Sequence, residues 1–354
     1  IADLTKHLMC RNILLYIELP PPVHGMTYIN KIIHDSLKSN DSYILFDTNF
    51  TLDVNEVSKK SFKKVFKNIF IMLKAWNFFF QFNPKCVYSA ASATKYGIIR
   101  DFAILIPALL FKKKLVLHLH GFTYYKIYQN SILYKFFFDL LSKNAVIIVL
   151  CNIQKSQTLT VMSKDSTVLN NCIKRNTLVK EKIKNNILQI CYISNISREK
   201  GVLDLIKAVQ NRVDLRLTIA GNFLSEKEDF LELVGQCKNV SYVGFADEEA
   251  KQEIFESSDI FCLPSKLEEG SPISLIEAMS YGLPIIASNK GCIVDMIDGL
   301  GYVLPKDYSS NDIIDGIEFI KSKYDILSAN AIKKYQQNYS QEKFIQNLES
   351  ILKG

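Results

Sequence analysis

Residues 264–288, PSKLEEGSPISLIEAMSYGLPIIAS, decide the reading of this chain. The apolar run 260–263 before them reads as a buried strand. A polar loop follows, and a helix starts with Ser271 as N-cap and Pro272 at its first position. The β-branched run 285–288 then closes a strand, loop, helix, strand unit, which is the repeat of a parallel sheet. The helix start is the chemically interesting end. Its unpaired N–H groups and positive dipole end suit a phosphate, and Gly270 lets the backbone come close to one. Glu269 precedes the helix and Glu277 lies on it, and a carboxylate in such a place accepts hydrogen bonds from two hydroxyls at once. Each also has an ordinary role open to it, Glu269 as a dipole partner and Glu277 as a solvated helix residue.

Outward from this segment the same alternation continues. Strand candidates in the first half are 13–18, 43–47, 86–89, 115–120 and 145–150; in the second half they are 188–194, 215–220, 240–243, 260–263, 285–288 and 302–304. Helical patterns separate them, so the expected class is α/β, with two Rossmann-like doubly wound domains facing across a cleft. The expected division is an acceptor-binding domain at 1–170, a Lys- and Asn-rich linker at 171–186, and a nucleotide-sugar-binding domain at 187–337. A helix at 338–354 is expected to return to the first domain. Ligands of open α/β sheets bind beyond the carboxyl ends of the strands, which makes the cleft the expected site.

Glu269, Gly270, Pro272, Glu277, Ala278, Met279, Gly282 and Pro284 keep the order E-G-x-P-x-x-x-x-E-A-M-x-x-G-x-P. In this the chain resembles the family-four retaining glycosyltransferases of GT-B fold, of the bacterial surface-polysaccharide type. The resemblance implies that Glu269 takes donor-sugar hydroxyls and Glu277 the nucleotide ribose, with Gly270 and Ser271 at the donor phosphates. Glu268, an extra acidic neighbour, leaves open which carboxylate faces the sugar. Residues 192–201, YISNISREKG, are similar to the family's G-R-L-x-x-x-K-G loop, whose Arg and Lys clamp the donor diphosphate. Lys200 and Gly201 align, Asn195 stands where the Arg is usual, and Ser194 where a Gly is usual. Arg198 is near enough to supply the missing charge; as plain exposed loop cations, Arg198 and Lys200 would do nothing.

Signals in the first half are thinner. Residues 20–27, PPPVHGMT, lie between a strand and a helix, where the family has a glycine-containing loop, and Gly25 is its candidate; an ordinary turn reads the same way. His118 and His120 share one face of a strand, and the family's strand-end histidine beside the reacting carbon falls on His120. His118 reads as a core residue. Residues 58–82 mix Lys59, Lys60, Lys63, Lys64, Lys67 and Lys74 with Phe62, Phe66, Phe70, Trp76, Phe78, Phe79 and Phe80 at helical spacing. This is either a helix for an anionic lipid surface or one packing its aromatics on the sheet.

Composition narrows the class. Apolar residues make up 48% and charged residues 22%, as in globular proteins. The longest apolar run ends in Lys112, Lys113 and Lys114, too short to cross a bilayer. No secretory pattern opens the chain, so the expected location is cytoplasmic, peripheral on the inner face of the cytoplasmic membrane. The eight cysteines have no C-x-x-C pairing and read as small core residues in a reducing compartment. Residues 1–175 hold 23 Lys and Arg against 10 Asp and Glu, and the remainder 20 against 26. The basic half suggests an anionic partner, a membrane or a phosphorylated substrate; no motif supports nucleic acid. Neither G-x-G-x-x-G nor D-x-D occurs, which sets aside a nicotinamide enzyme and an acidic metal bridge.

The expected activity is transfer of a hexosyl or N-acetylhexosaminyl group from a nucleoside-diphosphate sugar to a saccharide. That saccharide is expected to be carried on a polyprenyl diphosphate, with no cofactor and no metal, and with retention. The alternatives are a catalytically silent binding protein of the same fold, kept open by Asn195, and another GT-B enzyme such as a nucleotide-sugar epimerase or a glycogen-type phosphorylase.

Overall fold

The computed structural model describes residues 12–21, 23–49, 62–174 and 187–354. The chain divides into two units, Ile1–Asn171 with Gln341–Gly354, and Cys172–Ser340. The stretch 175–186 of the expected linker, and Pro22 in the loop before Gly25, lie outside the described residues.

The first unit is built on β1 (Ile13–Ile17), β2 (Tyr43–Asp47), β3 (Cys86–Ala90), β4 (Lys114–His118), β5 (Ala145–Val149) and β6 (Thr167–Val168). Their order is β2-β1-β3-β4-β5-β6, and every pairing is parallel. All five residues of β1 are buried, as in a sheet covered on both faces. The covering helices are α1 (Gly25–Leu37), α2 (Phe62–Phe82), α3 (Gly97–Leu110), α4 (Thr123–Asn130), α5 (Ile132–Ser142) and α6 (Asn152–Met162). Strand order reverses between β1 and β3, so right-handed crossovers put α1 on one face and α2, α3 and α5 side by side on the other.

The second unit carries β7 (Leu188–Ile193), β8 (Leu215–Ala220), β9 (Val240–Tyr242), β10 (Ile260–Leu263), β11 (Ile285–Ser288) and β12 (Gly301–Leu304), in the order β12-β11-β10-β7-β8-β9 and again all parallel. Its helices are α7 (Val202–Val209), α8 (Lys227–Gly235), α9 (Glu248–Ser257), α10 (Ile273–Ser280), α11 (Ile293–Ile297) and α12 (Ser310–Asn338). In α7 the buried residues Val202, Leu205, Ile206 and Val209 recur with helical period and form the core stripe. Two six-stranded parallel sheets with flanking helices are the α/β class expected from the sequence.

Helix α13 (Gln341–Lys353) belongs to the first unit. It buries Phe344, Leu348 and Leu352 on one stripe, and Glu349 accepts from the Tyr43 hydroxyl at 2.8 Å. The Lys114 ammonium donates to the Ile351 carbonyl at 2.7 Å. Cys86, Cys172 and Cys262 are free and buried. β6 escaped the sequence reading because two residues are too few to show a period. β4 ends at His118, two residues before the expected end, so His120 lies in the loop beyond the strand.

Candidate active site

Strand order in the second sheet reverses at β7, which pairs with β8 on one side and β10 on the other. The loops leaving β7 and β10 therefore open side by side at the switch point, where α/β sheets bind ligands. They touch through their backbones. Gly201 ends the 3-10 turn Arg198–Lys200 with φ +73°, and a Cβ there would lie 2.0 Å from the Pro264 carbonyl oxygen. Only glycine meets both demands. The Tyr308 hydroxyl donates to the same carbonyl, and the Lys266 N–H donates to the Glu199 carbonyl at 2.7 Å. Gly221, after β8, makes a second close approach: a Cβ there would stand 1.8 Å from the Ser194 carbonyl oxygen.

This contact sets Lys200 opposite Glu269. The ammonium donates to Glu269 Oε1 at 2.7 Å, both side chains are largely buried, and the Ser265 hydroxyl donates to the same oxygen at 2.6 Å. The Glu269 carbonyl accepts from the Cys292 N–H at 2.9 Å, which fixes the backbone as well. Glu268 is exposed. Glu269 is thus the neighbour held in place.

The helix after this loop starts one residue later than the sequence suggests. Pro272, with φ −59° and ψ 122°, is the N-cap, α10 begins at Ile273, and Ser271 precedes the cap. Proline's fixed φ suits either position, so only ψ separates the two arrangements. Gly270 is half-buried and Ser271 buried beside this N-terminus. Further along α10, Glu277 is buried and accepts from the Lys251 ammonium of α9 at 2.5 Å; Lys251 also pairs with Glu248 at 2.7 Å. Burial works to lower the Lys251 pKa, but the Glu277 and Glu248 carboxylates outweigh it and raise it above the ordinary lysine value.

Arg198 stands apart from this cluster. Its side chain is 63% exposed and meets Asp229 of α8 at 3.4 Å, while its N–H donates to Glu226 at 2.9 Å. Asn195 is exposed, and its carbonyl accepts from the Tyr192 hydroxyl at 2.8 Å. Lys200, Glu269, Gly270 and Ser271 come together, Glu277 sits on the following helix α10 with its own lysine, and Arg198 and Asn195 are exposed.

In the first unit, His120 packs its ring 3.9 Å from that of His118, centroid to centroid. His118 Nδ1 is 2.8 Å from the Tyr88 hydroxyl. Both ring nitrogens of His120 are buried with no partner among the described residues. Burial, with a smaller push from His24, lowers the His120 pKa to about 3, so its ring is neutral at ordinary pH. Gly25 is the first residue of α1 and is exposed, with open space where a Cβ would lie.

The switch point of the first sheet holds a polar pocket lined by Tyr16, Glu18, Thr48, Ser89, Arg100 and Asp101 among others. The Arg100 guanidinium donates to Asp101 from Nε at 3.1 Å and from Nη2 at 3.0 Å, and to the Ser92 hydroxyl at 3.0 Å. Asp101 in turn accepts from the Ser92 N–H at 2.7 Å. Sequence reasoning missed this pair. The available signal was two adjacent charged residues inside the otherwise apolar GIIRDFAILIPALL. Ser265 and Lys251 were missed too. Nothing local marks Lys251, whose partner is 26 residues away, whereas the partner of Ser265 lies only four residues on.

The family described as "Glycosyl transferases group 1" matches residues 174–339. An uncharacterized glycosyltransferase of Methanocaldococcus jannaschii is 27% identical over 314 residues, 80% of this chain and 79% of the relative. The lipopolysaccharide 1,2-N-acetylglucosaminetransferase of Salmonella typhimurium is 27% identical over 183 residues, 47% of this chain and under half (48%) of the relative. Among solved structures, Anabaena HepE in complex with UDP and glucose superposes with a TM-score of 0.71 at 17% identity, covering 97% of this chain and 100% of that one. At that identity the likeness is one of fold.

Proposed function

We propose that this chain, whose residues 174–339 match the glycosyl transferases group 1 model, is a glycosyltransferase that moves a hexosyl or N-acetylhexosaminyl group from a nucleoside-diphosphate donor to a lipid-linked saccharide. Transfer proceeds with retention and without a metal ion. The observation that carries this reading is the buried Lys200–Glu269 pair, held where two switch-point loops meet by backbone. A donor in that crevice exchanges partners with the pair: its diphosphate takes the Lys200 ammonium and the α10 N-terminus, and its sugar hydroxyls donate to Glu269. Glu277 receives the ribose hydroxyls. Arg198 leaves Asp229 to add a second cation.

As the bond from C1 to the diphosphate oxygen breaks, charge grows on the leaving group, and preorganised cations and N–H groups stabilise it there. The acceptor oxygen bonds to C1 on the same face, and its proton passes to the departing phosphate. The polar pocket around Arg100 and Asp101 offers carboxylates and a guanidinium to acceptor hydroxyls. The Salmonella relative's activity on lipopolysaccharide and the UDP and glucose held by Anabaena HepE support a UDP-sugar donor and a role in surface polysaccharide assembly.

The test is thermal unfolding against a panel of nucleotide sugars, followed by donor consumption with and without EDTA and by the anomeric configuration of the product. A binding donor must raise Tm, because it stabilises only the folded state. Failure of every donor to shift Tm sinks the proposal, and activity abolished by EDTA sinks its metal-free part. The exposed pairing of Arg198 with Asp229 favours one other reading, a silent donor-binding protein, which the same assay reports as a Tm shift without turnover.

A further inference from the structure

Helices α2, α3 and α5 form one layer on the first sheet, and the outside of that layer is apolar rather than charged. In α2, Ile71, Ala75 and Phe79 are buried, while Phe70 is 53% and Phe80 57% exposed. In α5, Ile132 is 90% and Phe136 60% exposed, although the same helix buries Tyr134 and Phe138 inward. Aromatic contacts join the helices into a continuous surface: Phe80 meets Phe111 edge-on at 5.9 Å, and Phe102 meets Phe137 at 4.7 Å. Side chains of 62–68, which carry three of the lysines named from the sequence, lie outside the described residues, as do Lys59 and Lys60.

The charges carried by this stretch of the sequence are mostly of one sign. From residue 62 to 143 the chain has 13 Lys and Arg and only two acidic residues, Asp101 and Asp139. Asp101 is buried under Arg100, and Asp139 accepts from the Tyr128 hydroxyl at 2.8 Å. Lys112 and Lys143 stand exposed at the rim, and the Lys74 ammonium lies 4.5 Å over the Phe70 ring. The opposite face of the sheet provides the contrast, since α1 and α13 present paired opposite charges there, Lys31 with Asp35 and Lys353 with Glu349.

We propose that the outer face of α2, α3 and α5 docks on an anionic lipid surface, with Phe70, Phe80, Phe111, Ile132 and Phe136 entering the interface and the rim lysines meeting lipid phosphates. Aromatic and aliphatic side chains ringed by lysines are what such an interface binds. A second copy of the chain using the same face would set lysines against lysines, which charge repulsion opposes. The inference rests on the lipid-linked acceptor of the proposed function, but its test needs neither donor nor acceptor.

The test is flotation of the whole chain with vesicles of phosphatidylcholine alone and of equal parts phosphatidylcholine and phosphatidylglycerol. The wild type should float with the anionic vesicles and be released by salt. Ile132→Glu with Phe136→Glu should lower that binding roughly tenfold or more, and Lys112→Glu with Lys143→Glu by a smaller factor. All four positions are exposed, and an unchanged Tm confirms that each variant folds. Equal flotation of wild type and the Glu variants overturns the assignment, as does no flotation at all. A wild-type dimer in sedimentation, split by Ile132→Glu with Phe136→Glu, overturns it in favour of a second copy. Loss of transfer with vesicle binding intact would count against the proposed function and leave the docking face standing.

Discussion

Both units place polar side chains at the switch point of a six-stranded parallel sheet, but they hold them by different means. In the second, two loops from non-adjacent parts of the chain meet backbone to backbone at Gly201 and Pro264, and this sets Lys200 against Glu269. In the first, Arg100 and Asp101 are neighbours on one helix, braced by Ser92, and Gly25 faces open space. A site locked through backbone tolerates no change at the contact. One assembled from side chains has room to accept different ligands. Under the proposed function, the first arrangement would suit the donor and the second the acceptor.

The comparison breaks most visibly at its glycines. Gly201→Ala forces a Cβ into the Pro264 carbonyl at a positive φ, and the two penalties together come to about 3 kcal/mol, a Tm loss of roughly 10 °C for a unit of this size. Gly25→Ala, with nothing within 4 Å of the new Cβ, should change Tm by very little. Calorimetric melts of the two variants measure the contrast, and equal losses would erase it.

A smaller effect concerns the buried histidines of the first unit. Burial lowers His118 well below the ordinary value of 6.5 and His120 to about 3, so the unfolded chain binds protons that the folded chain refuses. Their contribution to stability is present above pH 6.5 and is lost progressively as pH falls from there towards about 3. His120→Gln should flatten the decline in urea midpoint between neutral and mildly acidic pH. A slope identical to wild type would mean that His120 does not titrate as its burial requires.

The smallest effect on the folded protein is expected at Arg198. Exposed ion pairs contribute roughly 0–1 kcal/mol, so Arg198→Ala should hardly move Tm although it removes the contact with Asp229. Its effect on turnover sharpens the comparison further. A loss on the order of 10²-fold would place Arg198 at the diphosphate beside Lys200, and an unchanged rate would leave Lys200 and the α10 N-terminus as the whole clamp.

Much of the second unit was legible because its determinants are local. Glu269, Gly270, Pro272 and Glu277 lie within nine residues, and the loop 192–201 carries its lysine and glycine in sequence. What stayed hidden there was either a matter of one dihedral, as with Pro272, or a partner brought from another element, as with Lys251. The first unit resisted reading for the same reason in stronger form. Its pocket draws on β1, β2, β3 and α3, and its outer face is a property of three helices that no single period reveals. His120 was read as a strand end because apolar alternation runs past the point where pairing with β5 stops at His118.

The most direct measurement separates the two carboxylates of the motif. UDP binding by titration calorimetry and turnover with a nucleotide-sugar donor should be recorded for Glu277→Gln and Glu269→Gln beside wild type. Glu277→Gln should weaken UDP binding by roughly tenfold, the loss of a charge-assisted pair of hydrogen bonds. Glu269→Gln should bind UDP as wild type does and lose on the order of 10²-fold in turnover. Wild-type values for both variants in both assays would contradict this assignment.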